Sequence, residues 1–513
     1  MLHTTATPAS KPFMEYLLAA LPILILLFLM VVLHLGGHIA GPVSLAVGIL
    51  ISLLAFGLNS QVLLIGLSKS LILSFYVLLI VWPAMLLYQT MQLSGGIQTL
   101  AFSLQRIIPD TGFLWLILAW CFSAFLEGIA GFGIPIAIVA PILVTLGMSP
   151  VIAVTSAAIG HAWAVTFGDM GVVFQALVGV VNMDPATLVI PAAILMGVAC
   201  ILCGIAVALV MRQARLIPYV LVIGLVMVSV QTSLAYFGLI TLSGFLAGLS
   251  GILAGVLIKK KNSTKLLEPK TRTKLFAILG VYLVLSIILI FVFWPGQVRE
   301  ALQGIAWIPQ FPGVVTNTGF ETPAGNGQII RPFAHPGFWV LLTTIFTLPI
   351  YSSRQLIPAK GWKTALKTTW RSAAPASIAI IATVALSSLM EHTGMTQTLA
   401  KGLSISFKNS YPLVSPWVGI LGAFATGSNT NSNILFGAMQ KDIALLLQFS
   451  PAWLIAAQTA GGSLGSMLSP AKVILGCSTV NLKGQEGAVL KLTLPIGLMI
   501  GLLLGVIVLF FGA

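Results

Sequence analysis

The chain has 513 residues, 58% of them hydrophobic and 7% charged, with a mean hydropathy of +1.07. A water-soluble domain averages about 25% charged residues, so this composition leaves too little polar surface for a soluble enzyme. The formal charge of +14 does not point to nucleic acid, because seven of the 25 Lys and Arg residues lie in one loop, Lys259 to Lys274, between two apolar runs. Such a loop is the usual mark of a cytoplasmic membrane edge.

The apolar runs approach the ~20 residues a helix needs to cross hydrocarbon, and they lack the alternation of barrel strands. The expected class is therefore an all-α integral membrane protein. A polar tail, 1–13, precedes a first run without a clear small-residue cleavage site, which reads as a retained span rather than a signal peptide. Crossings are expected at about 14–35, 38–58, 70–91, 149–175, 186–211, 217–236, 238–258, 275–294, 337–351, 372–390, 452–475 and 488–512. Two further apolar segments, 113–147 and 411–447, are broken in the middle by Gly, Asn, Ser and Pro and read as re-entrant hairpins. Non-helical backbone at membrane depth is tolerated only when buried in protein or facing water. The chain thus divides into an N-terminal half, 14–258, the basic loop 259–274, and a C-terminal half, 275–513. Arg212 with Arg215, the 259–274 loop, and Lys360, Lys363, Lys367 with Arg371 fall on one side, expected to be the cytoplasm. Both termini and the Gly- and Pro-rich segment 295–336 then lie outside; should the short run 337–351 not cross, the C-terminal half inverts.

Four cysteines give no disulfide framework, and Cys200 and Cys203 form a CxxC inside an apolar helix, which reads as inert buried thiol. Gly244 with Gly248 and Gly251 with Gly255 are small-residue faces for close helix packing.

An internal repeat organises the chain. Gly95-Gly96-Ile97-Gln98-Thr99-Leu100-Ala101 recurs as Gly394-Met395-Thr396-Gln397-Thr398-Leu399-Ala400, an offset of 299, and Ala124-Phe125 with Gly128 matches Ala423-Phe424 with Gly427 at that offset. Ser149-Pro150 then matches Ser450-Pro451 and Gly160 matches Gly461 at offset 301, as a two-residue insertion in the second hairpin explains. The copies cover about 67–175 and 366–475 and, by the charge-based orientation, are inverted. Inverted repeats with broken helices at the midplane are an architecture of secondary transporters; the plainer reading is an old duplication in a membrane enzyme or scaffold.

With 11 acidic residues in all, each one inside the membrane counts, since a charge at mid-bilayer costs at least about 2.5 kcal/mol. Glu127 sits in the first hairpin tip, among Gly128, Gly131 and Gly133, and Asp169 at a break in the next crossing. Either is a proton-coupling or substrate-positioning group, or else a structural carboxylate capping a half-helix. His161 is a candidate proton relay or a satisfied core histidine. The second tip runs Thr426-Gly427-Ser428-Asn429-Thr430-Asn431-Ser432-Asn433. Hydroxyl, amide and free N–H groups at a half-helix start suit a small anion, Thr426, Gly427, Ser428, Asn429, Thr430, Ser432 and Asn433 being the named candidates; the alternative is a polar turn outside the membrane. Lys472 corresponds by the repeat to the neighbourhood of Asp169, so a broken helix in each copy, one with an acid and one with a base, meets as a charge pair or anion site, unless Lys472 snorkels to the cytoplasmic face. Lys441 and Asp442 end the second hairpin, with a solvated membrane edge as their default. No metal-ligand spacing, phosphate-binding loop, nucleophile elbow or dinucleotide fingerprint appears in a supporting context, so no cofactor or metal is expected and an ion gradient is the expected energy source.

Ala124-Phe125-Leu126-Glu127-Gly128, Ala130-Gly131-Phe132-Gly133, Thr426-Gly427-Ser428, Ser432-Asn433, Phe436-Gly437, Gly461-Gly462, Met467 and Ser469-Pro470 together resemble the lactate permease family over about residues 15–510. The resemblance implies proton-coupled uptake of lactate, and often glycolate, at a bacterial plasma membrane, in a fold where two hairpins meet at the substrate and a transport domain moves against a scaffold. Against the family pattern this chain carries Asn429 where an aspartate is usual, Asp169 where an acid is usually absent, and Ser466 where lysine is common. The expectation is a secondary carrier of a small monocarboxylate and a proton, with Glu127 or Asp169 taking the proton. The alternatives are another organic-anion carrier (sodium-coupled or an exchanger), a channel, or a membrane-embedded enzyme, whose only candidate pair, His161 and Asp169, lies eight residues apart, about 12 Å along a helix.

Overall fold

The computed structural model describes residues 10–259, 269–358, 360–482 and 484–512; most of the expected tail 1–13 and of the basic loop 259–274 lies outside these residues. The chain opens with α1 (Ser10–Val31), α2 (Gly37–Ala55), the long α3 (Ser60–Leu93) and the short α4 (Gly96–Ile107). A first hairpin follows: α5 (Thr111–Leu116), a π-helical stretch (Ile117–Phe122) and α6 (Ser123–Ile129) form its entering arm, and α7 (Ile134–Thr145) its returning arm. Next come α8 (Pro150–Ala162), a single 3-10 turn at Asp169–Gly171, α9 (Val172–Val181), α10 (Pro185–Val210), α11 (Ile217–Tyr236), α12 (Ile240–Lys259), α13 (Pro269–Phe293) and α14 (Gln297–Gly304). The segment before α15 (Pro336–Ser353) holds two small antiparallel ladders, β1 (Gln310–Phe311) with β4 (Gly325–Asn326) and β2 (Val314–Val315) with β3 (Glu321–Thr322). The chain ends with α16 (Gly361–His392), α17 (Met395–Phe407), the second hairpin α18 (Tyr411–Thr426) and α19 (Asn429–Leu447), then α20 (Pro451–Leu468), α21 (Pro470–Thr479) and α22 (Glu486–Phe511).

Nine helices among the described residues are long and apolar enough to cross a membrane, or ten when α13 and α14, bent by 80°, are taken as one span. This tally goes by length and composition, includes the hairpin arm Thr111–Ile129 and takes in 275–294 only within the bent pair, so it does not correspond one to one with the twelve expected crossings. The runs 149–175 and 452–475 are each two short helices, broken at 163–168 and at Ser469, and α15 interrupts its apolar run with Thr343, Thr344 and Thr347. Apolar side chains cover the outside, with Leu257 79% and Phe510 76% exposed, as befits a surface wetted by lipid. The segment expected to lie outside, 295–336, is fastened to the α2–α3 turn: Asn59 Nδ2 donates to Val315 O at 2.8 Å, Asn317 N to Gly57 O at 2.7 Å, and Thr318 Oγ1 to Phe56 O at 3.0 Å.

The element order recurs from one half to the other. α3 and α16 have 34 and 32 residues, α4 and α17 follow, each entered through a left-handed glycine (Gly95 at φ 68°, Gly394 at φ 79°), then a hairpin, a broken helix, and α10 or α22 with 26 residues each. α3 and α16 pack antiparallel: Gly66 O accepts from Ser388 Oγ at 2.9 Å, Lys69 Nζ meets His392 Nε2 at 3.1 Å, and Trp82 Nε1 donates to Ser377 Oγ at 3.0 Å. The matched glycines Gly160 and Gly461 do the same work in both halves. Each lies flush against the backbone of the hairpin arm beside it, Gly160 on Ala119 O and Gly461 on Pro416 O, leaving no room for a Cβ. The glycines of α12 act likewise, Gly248 on Phe125 and Gly255 on Ile117, which is how small residues let membrane helices approach.

Candidate functional site

Both breaks and both tips fall where glycine or a capping hydroxyl permits the turn. In the first hairpin α6 ends at Ile129, Phe132 (φ 49°) and Gly133 (φ 82°) adopt left-handed backbone, and α7 restarts at Ile134. In the second, Gly427 (φ 70°) closes α18 and Ser428 opens α19, its hydroxyl accepting from Asn431 N at 3.3 Å. Such a cap satisfies one of the orphan N–H groups of the first turn. The break before α9 holds Asp169 (φ 49°) and Met170 (φ 55°) in the left-handed region, where non-glycine residues are uncommon. The twist turns the Asp169 carboxylate onto Gly131 N of the first tip, which donates to it.

The two halves then exchange partners. α7 of the first hairpin lies along α21, with Gly133 against Lys472 and Leu475 and Ile136 against Gly476. α19 of the second lies along α9, with Asn433 Nδ2 donating to Val173 O at 3.4 Å and Lys441 Nζ to Val181 O at 2.7 Å. Lys441 is therefore no solvated edge residue; it caps the last turn of α9.

The starts of α7, α9, α19 and α21 converge on a cavity of about 250 Å3, lined among others by Phe132, Val172, Thr426, Ser428, Asn431 and Lys472. Four helix dipoles point their positive ends at it and the Lys472 ammonium adds a full charge, so the local potential favours an anion, although Ile134 N and Val172 N already donate to Gly131 O and Asp169 O and Pro135 and Pro470 carry no N–H. Lys472 is 6% exposed and does not snorkel to a membrane face; its ammonium donates to Ser466 Oγ. Glu127, 1% exposed, has both carboxylate oxygens without a hydrogen-bond partner. A Cβ placed on Gly131 would stand 2.6 Å from Glu127 Oε1 and 2.6 Å from Asp169 Oδ2. Only a glycine fits between these two acids.

Of the tip residues expected to bind, Thr426, Gly427, Ser428 and Thr430 line the cavity. Asn429, Ser432 and Asn433 turn the other way into α20 and α18: Asn429 Nδ2 donates to Thr459 O at 3.0 Å and Ser463 Oγ at 3.1 Å, Ser432 Oγ to Gly419 O at 2.9 Å, and Asn433 Nδ2 to Thr459 Oγ1 at 2.9 Å. Gly128 is a packing residue, its Cα against Phe245, while Gly131 and Gly133 shape the tip without lining the cavity. His161 is fully buried, its Nδ1 3.0 Å from Ala157 O and its Nε2 without a partner. Asn431 and Phe132, within the two tips but not among the named candidates, also line the cavity. Asn431 was readable: with Ser428 as the cap, positions 429, 432 and 433 share one helix face and 430 and 431 another.

Broken helices meeting at a buried polar cavity inside a lipid-facing shell define a multi-pass membrane transporter. The family profile of L-lactate permease matches residues 15–278 and 324–512. The L-lactate permease of Bacillus subtilis is 26% identical over 552 residues, spanning 98% of this chain and 96% of its own, and the glycolate permease GlcA of Escherichia coli is 26% identical over 544 residues, spanning 96% and 95%. The solved structure of Neisseria gonorrhoeae MtrF, described as illuminating a class of antimetabolite efflux pumps, covers 98% of both chains at 13% identity with a TM-score of 0.48, too loose a likeness to carry weight. The chain belongs to the L-lactate permease family, in the bacterial inner membrane.

Proposed function

We propose that this transporter carries small monocarboxylates such as lactate or glycolate together with a proton, by alternating access through the cavity between the two hairpins. The observation that carries the reading is the convergence of four half-helix starts and the Lys472 ammonium on one cavity of about 250 Å3. Dipole ends and one cation hold a carboxylate where lipid would forbid it. The names of the relatives, lactate and glycolate permeases, agree with that chemistry.

Glu127 and Asp169, paired across Gly131 beside Lys472, are suited to hold the coupled proton: an acid that must be neutral in one state and charged in another belongs next to the anion site. The exchange of α7 with α21 and of α19 with α9, together with the antiparallel α3 and α16, supports two copies inserted in opposite senses. We take the face bearing Arg212, Arg215, Lys259 and Lys360 as cytoplasmic. The cavity then reaches toward that face at Gly37 and His38, while a second cavity of about 620 Å3 opens on the other. Between them stands Thr383, whose Oγ1 donates to Asn431 Oδ1 at 3.5 Å. Along α3, α9 and α16 the two cavities follow one another: Val81, Val172 and Ile380 line the inner one and Tyr76, Val178 and Val384 the outer.

The test is uptake of labelled C2 to C4 hydroxy- and keto-acids by the purified chain in proteoliposomes under an imposed pH gradient. Accumulation of lactate or glycolate that alkalinises the outside and collapses with a protonophore is the expected result. Accumulation driven by sodium at zero pH gradient would overturn the proton, and no accumulation of any acid would overturn the substrate class.

A further inference from the structure

The outer cavity is more than a passage. It is enclosed by the outer half of α3, the C-terminal ends of α9 and α16, and the 297–336 segment, and three cations line it, Lys69, Arg299 and Arg331, against one carboxylate, Glu391. Each cation is held in place by a contact that leaves donors over. Arg299 Nη1 donates to Phe293 O at 3.5 Å and Arg331 Nε to Gln303 O at 3.2 Å, so most of each guanidinium fork is uncommitted. Lys69 is fixed by a histidine. His392 Nδ1 lies 2.7 Å from Ser388 O, a carbonyl that only accepts, so Nδ1 carries the proton and Nε2 is left as the acceptor for the Lys69 ammonium 3.1 Å away. One of its three N–H groups is thereby used, and Phe311 lies under the ammonium, 5.6 Å from the ring centroid. A neutral imidazole orients the ammonium, and Glu391 is the one carboxylate that lines the cavity among the described residues, so three cations face a single acid. That excess of positive charge serves an incoming anion.

We infer that the outer cavity is a second carboxylate-binding station, in which Lys69, Arg299 and Arg331 hold one monocarboxylate while another occupies the inner cavity beside Lys472. The inference rests on the monocarboxylate reading above. Lys69 and Val81 are twelve residues apart on α3, about 18 Å along the helix, so the two anions are distinct occupants, separated by the Thr383–Asn431 contact. The outer station loads from the medium and hands its anion inward when that contact opens.

Equilibrium binding of labelled L-lactate to the purified full chain at saturating concentration decides the matter. Two lactates per chain are expected in the wild type, one in Lys69→Gln with Arg331→Gln, and one in Lys472→Gln. Lys69→Arg with Arg331→Lys, which keeps both charges, should still bind two lactates, a result that separates lost charge from a disturbed fold. In transport, Lys69→Gln should raise KM about tenfold, the order expected for a lost charge-assisted hydrogen bond, with kcat within about twofold. A stoichiometry of one in the wild type, abolished by Lys472→Gln, would remove the outer station and leave the inner site standing. No lactate bound at either site would remove both this inference and the substrate reading beneath it.

Discussion

The two hairpins have the same architecture and opposite chemistry. The first arm of the first hairpin, residues 111–129, is 94% buried, almost wholly apolar, and ends on the unpartnered acid Glu127. The second hairpin has no acid at its tip and is laced to α20 by side-chain hydrogen bonds. Gln440 Oε1 accepts from Tyr411 OH at 3.0 Å and Ser415 Oγ at 3.1 Å, Gln440 Nε2 donates to Gln458 Oε1 at 3.1 Å, and Gln458 Nε2 donates to Ser432 Oγ at 3.0 Å. At the position matching Gln458 by the repeat, the first copy has Ala157. The two hairpins thus share a frame and differ in their side chains. One lodges an unpartnered acid among apolar neighbours, and the other presents a neutral, hydrogen-bonded wall against which we propose the anion rests.

The sharpest way to break this division is at Lys472, the one cation lining the inner cavity among the described residues. Lys472→Gln leaves a bound carboxylate without its counter-charge, a loss of about 3–5 kcal/mol for a buried pair, so lactate binding at the inner site should weaken by about two to four orders of magnitude. An affinity within tenfold of wild type would place the anion elsewhere. Glu127→Gln keeps the shape and removes the titration. Proton-driven accumulation should disappear while lactate-for-lactate exchange persists, and unchanged accumulation would take Glu127 out of the coupling. Gln458→Leu tests the wall. It orphans buried partners on Gln440 and Ser432, each at about 1–3 kcal/mol, so the detergent-solubilised protein should unfold at a clearly lower temperature, and a thermal midpoint equal to wild type would show that the network does not hold the hairpin.

The class of fold was legible from hydropathy, the family from its resemblance at motifs such as 124–128 and 426–428, and the approximate place of both tips from breaks in apolar runs, because membrane depth constrains where polar and glycine residues can sit. Gly160 and Gly461, matched by sequence, meet backbone in both halves. The repeat misled only locally: it equates Gly128 with Gly427, but Gly128 is helical against Phe245 and the first turn falls at Phe132 and Gly133. The first arm runs from 111 to 129 against 411 to 426 for the second, and a π-helical stretch at 117–122 takes up part of that difference, a local widening that no hydropathy pattern announces. Apolarity does not reveal how far a break extends: the one at 163–168, beside the break expected at Asp169, contains Trp163, Val165 and Phe167. Partnerships between distant segments, such as Asp169 with Gly131 or Lys441 with the end of α9, depend on tertiary geometry and were out of reach.

The smallest expected effect is also the finest test of the second tip, since it sets two asparagines two positions apart against each other. Asn431 lines the cavity and meets Thr383, whereas Asn429 is spent on Thr459 and Ser463 of α20. Asn431→Ala removes a single neutral hydrogen-bonding group from the site, about 0.5–1.5 kcal/mol, and should raise the KM for lactate two- to tenfold at unchanged thermal stability. Asn429→Ala should do the reverse, lowering the unfolding temperature while leaving KM within twofold, because its amide bonds to protein and not to the cavity. If Asn429→Ala shifts KM and Asn431→Ala does not, α19 presents its other face to the anion, and the neutral wall described above is turned the wrong way round.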